Sequence, residues 1–222
     1  MSEGENRKSG FIRDIIGCLT SPRGSFKSIL EKPSLKKATV LILVIAIAAG
    51  WASFNYTGKL PLPDLDQDQR PVGLGQFTQV IVMMSAMMAL IGVFGTWLLS
   101  SVLVHGIARP LGGKGTFRSM LTLAGYASTP LLIQHVLRLA DSFMISQEAL
   151  QLTASLQISV DPLLNSIANA AVGIFTIFRL WSIALLIIAT HENYKMSTIR
   201  STVPTVLSFV AVTFVSVFLP FM

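Results

Sequence analysis

"LGGKGTFRSMLTLAGYASTP" (residues 111–130) admits two readings with opposite consequences. Glycines around a lysine, running into an apolar stretch, invite comparison with a phosphate-cradling loop at the start of a helix. Such a loop needs G-x-x-x-x-G-K followed by Ser or Thr, so that backbone amides and a hydroxyl meet phosphate and magnesium. Here Ala108 stands at the first glycine position and Gly115 where the hydroxyl belongs. The preceding "SSVLVHGIA" (100–108) reads as the end of a long apolar helix, not as a β-strand. The stretch is therefore a tight turn between two helices, with Gly112, Gly113 and Gly115 supplying permissive backbone. Gly125, Ala127 and Ser128 then give the next helix a small-residue face suited to close helix contact. Pro130 removes an amide and frees the carbonyl at Tyr126, so a kink is expected there.

Composition supports this reading. Of 222 residues, 52% are hydrophobic and only 13% charged, against roughly 25% charged in ordinary globular domains. Mean hydropathy is +0.65. A chain this poor in charge cannot cover a soluble globule, so lipid is its expected solvent. The formal net charge of +6 then bears on topology rather than on nucleic acid, which is not an expected partner. Cys18 is the single cysteine, which excludes an intrachain disulfide and a cysteine-rich metal site. The polar start, MSEGENRKSG, does not resemble a cleaved secretory signal.

A spanning helix needs roughly 20 apolar residues. Segments 38–56, 77–104, 163–190 and 203 onward meet this. A fifth, 120–140, carries Pro130, Gln134, His135 and Arg138, and loop charge decides in its favour. With five spans and a cytoplasmic N-terminus, the cytoplasmic pieces hold most of the Lys and Arg, including Arg13, Arg23, Lys27, Lys36, Lys37, Arg109, Lys114, Arg118, Lys195 and Arg200. The outer loops keep only Lys59 and Arg70, beside Asp64, Asp66, Asp68, Asp141, Glu148 and Asp161. This is the bias that sets orientation in membranes. The expected fold is all-α: a five-helix bundle in the cell membrane over residues 37–222, its C-terminus outside, preceded by a cytoplasmic amphipathic segment, residues 1–36.

In that segment, "GFIRDIIGCLTSPRGSFKSILEKPS" (10–34) predicts two short helices over residues 11–31, with Ser21-Pro22 as cap and first position of the second. Phe11, Ile12, Ile15, Ile16 and Leu19 form the apolar side of the first, opposite Arg13, Asp14 and Gly17. Basic amphipathic helices of this kind lie among anionic headgroups, and they can also dock on the protein's own loops.

The stretch 100–133, "SSVLVHGIARPLGGKGTFRSMLTLAGYASTPLLI", resembles the central signature of the Yip1 family: a His near a span end, the Gly-Gly-x-Gly-x-Phe turn, then Gly-Tyr and Pro. The likeness extends to "SPRGSFKSILEKPSLKKA" (21–38) and "LWSIALLIIATHENYKMSTIRS" (180–201). It implies an integral membrane protein without catalytic machinery. Eukaryotic members act in vesicle traffic beside Rab-type GTPases. This chain lacks their long N-terminal region and their Asp-Leu-Tyr-Gly-Pro motif, and looks like the short prokaryotic branch.

Charges inside spans are the best functional clues, because each is costly in lipid unless paired or solvated. Gln134, Arg138 and Asp141 share an arc of the third span with Pro130; Asn165, Asn169, Gly173, Thr176 and Arg179 share one on the fourth. The stripe reads either as helix–helix glue, with Arg138 and Asp141 paired, or as a solute path. Arg179, roughly 15 Å from the cytoplasmic end at about 1.5 Å per residue, has no carboxylate at its depth and is expected to bond the Tyr126 carbonyl. His105 and His191 at span ends could hold a metal with Asp14 or Glu192, although interfacial histidines commonly bond backbone instead. Met83, Met84, Met87 and Met88 read as gap-fillers of the core. No catalytic group, cofactor or metal is expected. The function expected is a non-enzymatic membrane organiser or recruiter of partners acting through a basic cytoplasmic face. A small carrier or channel along the stripe is the alternative. Expected partners are the bilayer, with anionic lipids at the cytoplasmic face, and there is room for a protein partner or a homo-oligomer.

Overall fold

The computed structural model describes residues 10–60, 74–148 and 162–218, the side chains of 74–75, 162–175 and 216–218 lying outside that description. Every described element is a helix: α1 (Phe11–Thr20), α2 (Pro22–Glu31), α3 (Leu35–Gly58), α4 (Leu74–Ala108), α5 (Phe117–Ala127), α6 (Thr129–Met144), α7 (Pro162–Tyr194) and α8 (Thr198–Phe218). Among the described residues, three stretches are long and apolar enough to cross a bilayer: Leu35–Gly58, Gln76–Ala108 and Thr198–Val215.

The stretch expected to form a third span is divided between α5 and α6. Ser128 is the joint, its amide reaching back to the Ala124 and Gly125 carbonyls, and Pro130 sits in the first turn of α6. Proline thus starts a helix here instead of only bending one. The carbonyl it deprives, that of Tyr126, accepts a hydrogen bond from the Thr129 hydroxyl at 2.5 Å. Thr129 is buried, so Thr129→Val should strand a buried acceptor and cost about 2 kcal/mol. Thr129→Ser should keep most of the stability. Thermal midpoints in detergent check this, and equal midpoints for the two variants would contradict it.

Small residues set the helix spacing. A Cβ on Gly125 would meet the Ala38 Cβ at 2.8 Å, so α5 and α3 touch there with no room for a larger residue. The helices form a ring: α3 packs on α4, α4 on α8, α8 on α7, α7 on α6, and α6 back on α3, with α5 between α3 and α7. Met83, Met84 and Met87 face outward from this ring. The expectation that they fill the core is corrected: in lipid an outward apolar face is as well solvated as an inward one.

α1 and α2 are present over the expected residues, and they dock on the bundle. Cys18, Phe26 and Ile29 are buried in one cluster with Ala38, Leu41, Ile42, Leu123, Tyr126 and Leu185. The inward face of α1 takes Phe11 and Ile15 but not its other two isoleucines. Asp14 is buried and paired with Lys37 Nζ at 3.3 Å, whereas Ile12 is 70% and Ile16 54% exposed. A carboxylate can turn inward here because the first turn of α3 supplies its cation. Burial, and secondarily the Asp14 charge, pushes the Cys18 thiol from an ordinary 9.0 up to about 12.

Candidate functional site

Two places gather polar side chains. The first is the junction where the glycine turn meets the end of α7. The Gly113 amide bonds the Ala108 carbonyl at 3.0 Å and the Lys114 amide bonds the Tyr194 carbonyl at 3.2 Å. Asn193 Nδ2 donates to the Thr116 carbonyl at 3.2 Å, and Thr116 caps α5 by accepting from the Ser119 amide at 3.2 Å. Gly113 and Gly115 are there for space: a Cβ on the first would lie 2.8 Å from the Ala108 carbonyl oxygen and from Tyr194, and on the second 2.6 Å from the Asn193 carbonyl. Gly112 is there for conformation, with φ at +89°.

Tyr194 anchors the junction. It is buried, and its hydroxyl lies 2.6 Å from His105 Nδ1. The His105 tautomer sets which of the two groups donates. Glu192, also buried, faces Lys195 Nζ at 3.6 Å and His191 Nε2 at 3.9 Å. Asp14 is engaged by Lys37. His105 and His191 are therefore not brought into a shared cluster with an acidic third ligand, and no such group of three exists among the described residues. The junction is built of hydrogen bonds that fasten one turn to one helix end, which is the work of a structural clamp.

The second place is a partly open chamber of about 840 Å³ lined by α3, α4, α5, α6, α7 and α8. Arg138, Arg179, Gln134 and His135 line it, together with Tyr56 and Ser182. Of the polar stripe, Gln134 and Arg138 on α6 and Arg179 on α7 therefore face a common space. Asn165 and Asn169 fall on α7, but their side chains lie outside the described residues.

One expectation is corrected. Arg179 does not reach the Tyr126 carbonyl, because Thr129, one residue before the proline, already donates to it. Arg179 instead lines the chamber and, among the described residues, makes no hydrogen bond or ion pair. Asp141 has a partner on another helix: the Tyr56 hydroxyl bonds the Asp141 carboxylate and also the Arg138 carbonyl, at 3.4 Å. The i, i+3 spacing of Arg138 and Asp141 gives no sign of this bond, since a neighbouring helix can reach the carboxylate as easily as its own helix can.

Sequence reasoning missed the group around Tyr56. Asn55 Nδ2 donates to Ser142 Oγ at 3.1 Å, and Lys59 Nζ donates to the Ser142 and Ile145 carbonyls, each at 2.8 Å. Lys59 is one of the two basic residues that the charge pattern leaves on the disfavoured side. Its ammonium closes the carbonyl end of α6, where a cation is stabilised. That misplaced charge was the available signal.

Comparison with known proteins follows the same outline. The family model for the Yip1 domain matches residues 16–219. An uncharacterized protein of Methanocaldococcus jannaschii is similar to the chain, 25% identical over 145 residues, which is 64% of this chain and 99% of that relative. No solved structure matches the chain.

Proposed function

We propose, from the premise that this chain belongs to the Yip1 domain family, that it is a non-enzymatic multi-pass protein organising one leaflet of the membrane in which it sits. The family is one of membrane proteins, and the apolar helices suit it to contact with lipid. In this reading the bundle of residues 37–222 crosses the cell membrane five times, with α5 and α6 together forming the third crossing and α7 the fourth. The N-terminus is cytoplasmic and the C-terminus outside. Residues 1–36 are a cytoplasmic segment held against the bundle.

The observation that carries the proposal is the orientation of α1. Cys18 and Phe26 fasten α1 and α2 to the core, while Ile12 and Ile16 point away from the protein, with Arg13, Arg23 and Lys27 on the same short segment. An apolar stripe flanked by cations inserts shallowly among anionic headgroups. Because it is rigidly attached, each copy displaces lipid on one side only.

The test is reconstitution into phosphatidylglycerol-containing vesicles. Wild type should shift vesicle diameters downward. An Ile12→Glu/Ile16→Glu variant with an unchanged thermal midpoint should leave them as they are without protein. Identical diameters for the two proteins would dismiss the leaflet role and turn attention to a protein partner on the basic face. The rival reading, a small carrier along the polar stripe, is favoured by the chamber beside Arg179.

A further inference from the structure

The chamber has a direction. Along α3 its lining passes from Ile42 and Ile45 to Ser53 and Tyr56; along α6 it passes from Leu131 to Gln134, His135 and Arg138. α7 runs the opposite way, and its lining is correspondingly reversed, from Arg179 and Ser182 to Ile183 and Leu186. Three helices thus agree on one polar pole and one apolar pole. Both guanidinium groups lie near His135 and act on it electrostatically, which places them at the same pole. Among the described residues, the lining holds two arginines and no carboxylate.

The polar pole is also incomplete. Gln134 is 1% exposed, and among the described residues its Oε1 has no hydrogen-bond partner; neither has the buried Ser182 Oγ. A buried polar atom left unpaired costs about 1–3 kcal/mol, and an arginine cannot escape by deprotonating. We infer that the chamber binds one anionic phospholipid, its phosphate between Arg179 and Arg138 and its acyl chain along the wall of Ile42, Ile45 and Leu186. Ser182 donates to the phosphate. Gln134 accepts from a headgroup hydroxyl or, with its amide turned, presents its two N–H donors. A free phosphate would satisfy the polar pole and leave the apolar one empty. A volume of about 840 Å³ lies in the range of roughly 300–1,000 Å³ that holds drug-sized ligands, enough for a headgroup and part of a chain. The inference stands apart from the leaflet role, which uses the opposite, outward face of α1.

The experiment uses the full chain in detergent, with thermal midpoint and native mass spectrometry as readouts. Dioleoylphosphatidylglycerol should raise the midpoint saturably and remain bound at one lipid per chain. Dioleoylphosphatidylcholine and inorganic phosphate should do neither. Arg179→Gln should weaken phosphatidylglycerol binding at least tenfold while leaving the lipid-free midpoint unchanged, because Arg179 makes no hydrogen bond or ion pair among the described residues. Ser182→Ala, which removes only an unpartnered hydroxyl, should weaken binding severalfold and serves if the arginine variant misfolds. Equal retention of the two lipids, unaffected by either substitution, overturns the proposal as boundary lipid. Stabilisation by inorganic phosphate alone, lost in Arg179→Gln, overturns the phospholipid in favour of a small-anion site.

Discussion

Replacing Gly115 with alanine should destabilise the protein by about 3 kcal/mol, the upper end of what overpacking costs. The added methyl group would lie 2.6 Å from the Asn193 carbonyl oxygen and side-chain amide. Neither can retreat cheaply, because Asn193 Nδ2 already holds the Thr116 carbonyl and the Tyr194 carbonyl holds the Lys114 amide. The control is Gly106→Ala. Gly106 is an exposed helical residue with nothing within 4 Å of its Cβ position, so alanine there should stabilise by about 1 kcal/mol. Lys114→Ala should stay within about 0.5 kcal/mol, since the side chain is exposed. This order of effects separates a packed turn from a phosphate loop, in which the lysine would matter and its loss would abolish nucleotide binding. Thermal midpoints of the three variants decide it; a Lys114→Ala loss as large as that of Gly115→Ala would refute the packed turn.

Phe26→Ala should cost about 4 kcal/mol, as is usual for emptying a fully buried aromatic site. Phe26 is 0% exposed among Ala38, Leu41, Leu185 and their neighbours, so its loss should loosen α2 and, with it, α1. The single cysteine reports this directly. With its thiol at about 12 rather than 9.0, buried Cys18 has roughly a thousandfold less thiolate at neutral pH than an ordinary thiol. It should resist alkylation in wild type and react readily in Phe26→Ala. Ile12→Ala, on the outward face, should leave both stability and labelling rate unchanged. Equal labelling of wild type and Phe26→Ala would mean that α1 is not docked in solution.

Much of this architecture is legible in the chain before any coordinates. The helical class, the compact turn at 112–115, the break at Pro130 and the two helices before the first long apolar stretch all follow from local rules about glycine, proline, caps and periodicity. What escapes is the choice of face. A stripe such as Ile12-Ile16 shows that a helix has an apolar side, but lipid and bundle interior accept that side equally. Met83 and Met87 escaped for the same reason. Asp14 is harder still, because its burial depends on Lys37, 23 residues away on another helix. Counting residues put Arg179 level with Tyr126 to Pro130 and deeper than Arg138, whereas both arginines act on His135 and line one chamber, and the Tyr126 carbonyl accepts from Thr129. Short local donors outcompete long distant ones, and spacing within one helix does not reveal them.

The clamp between the glycine turn and the end of α7 joins residues 77 to 89 positions apart. At about 5–20 residues per second of synthesis, the turn emerges roughly 4–16 s before the segment that completes it. During that interval the Lys114 amide and the Thr116 carbonyl must be satisfied by water or headgroups, and α5 has α3 to rest against but no α7. Closure of the ring is therefore a late event of biogenesis, governed by arrival of the Asn193-Tyr194 pair. Chains arrested before residue 193 should present an open turn to insertion factors and proteases, whereas chains extended past Lys195 should not.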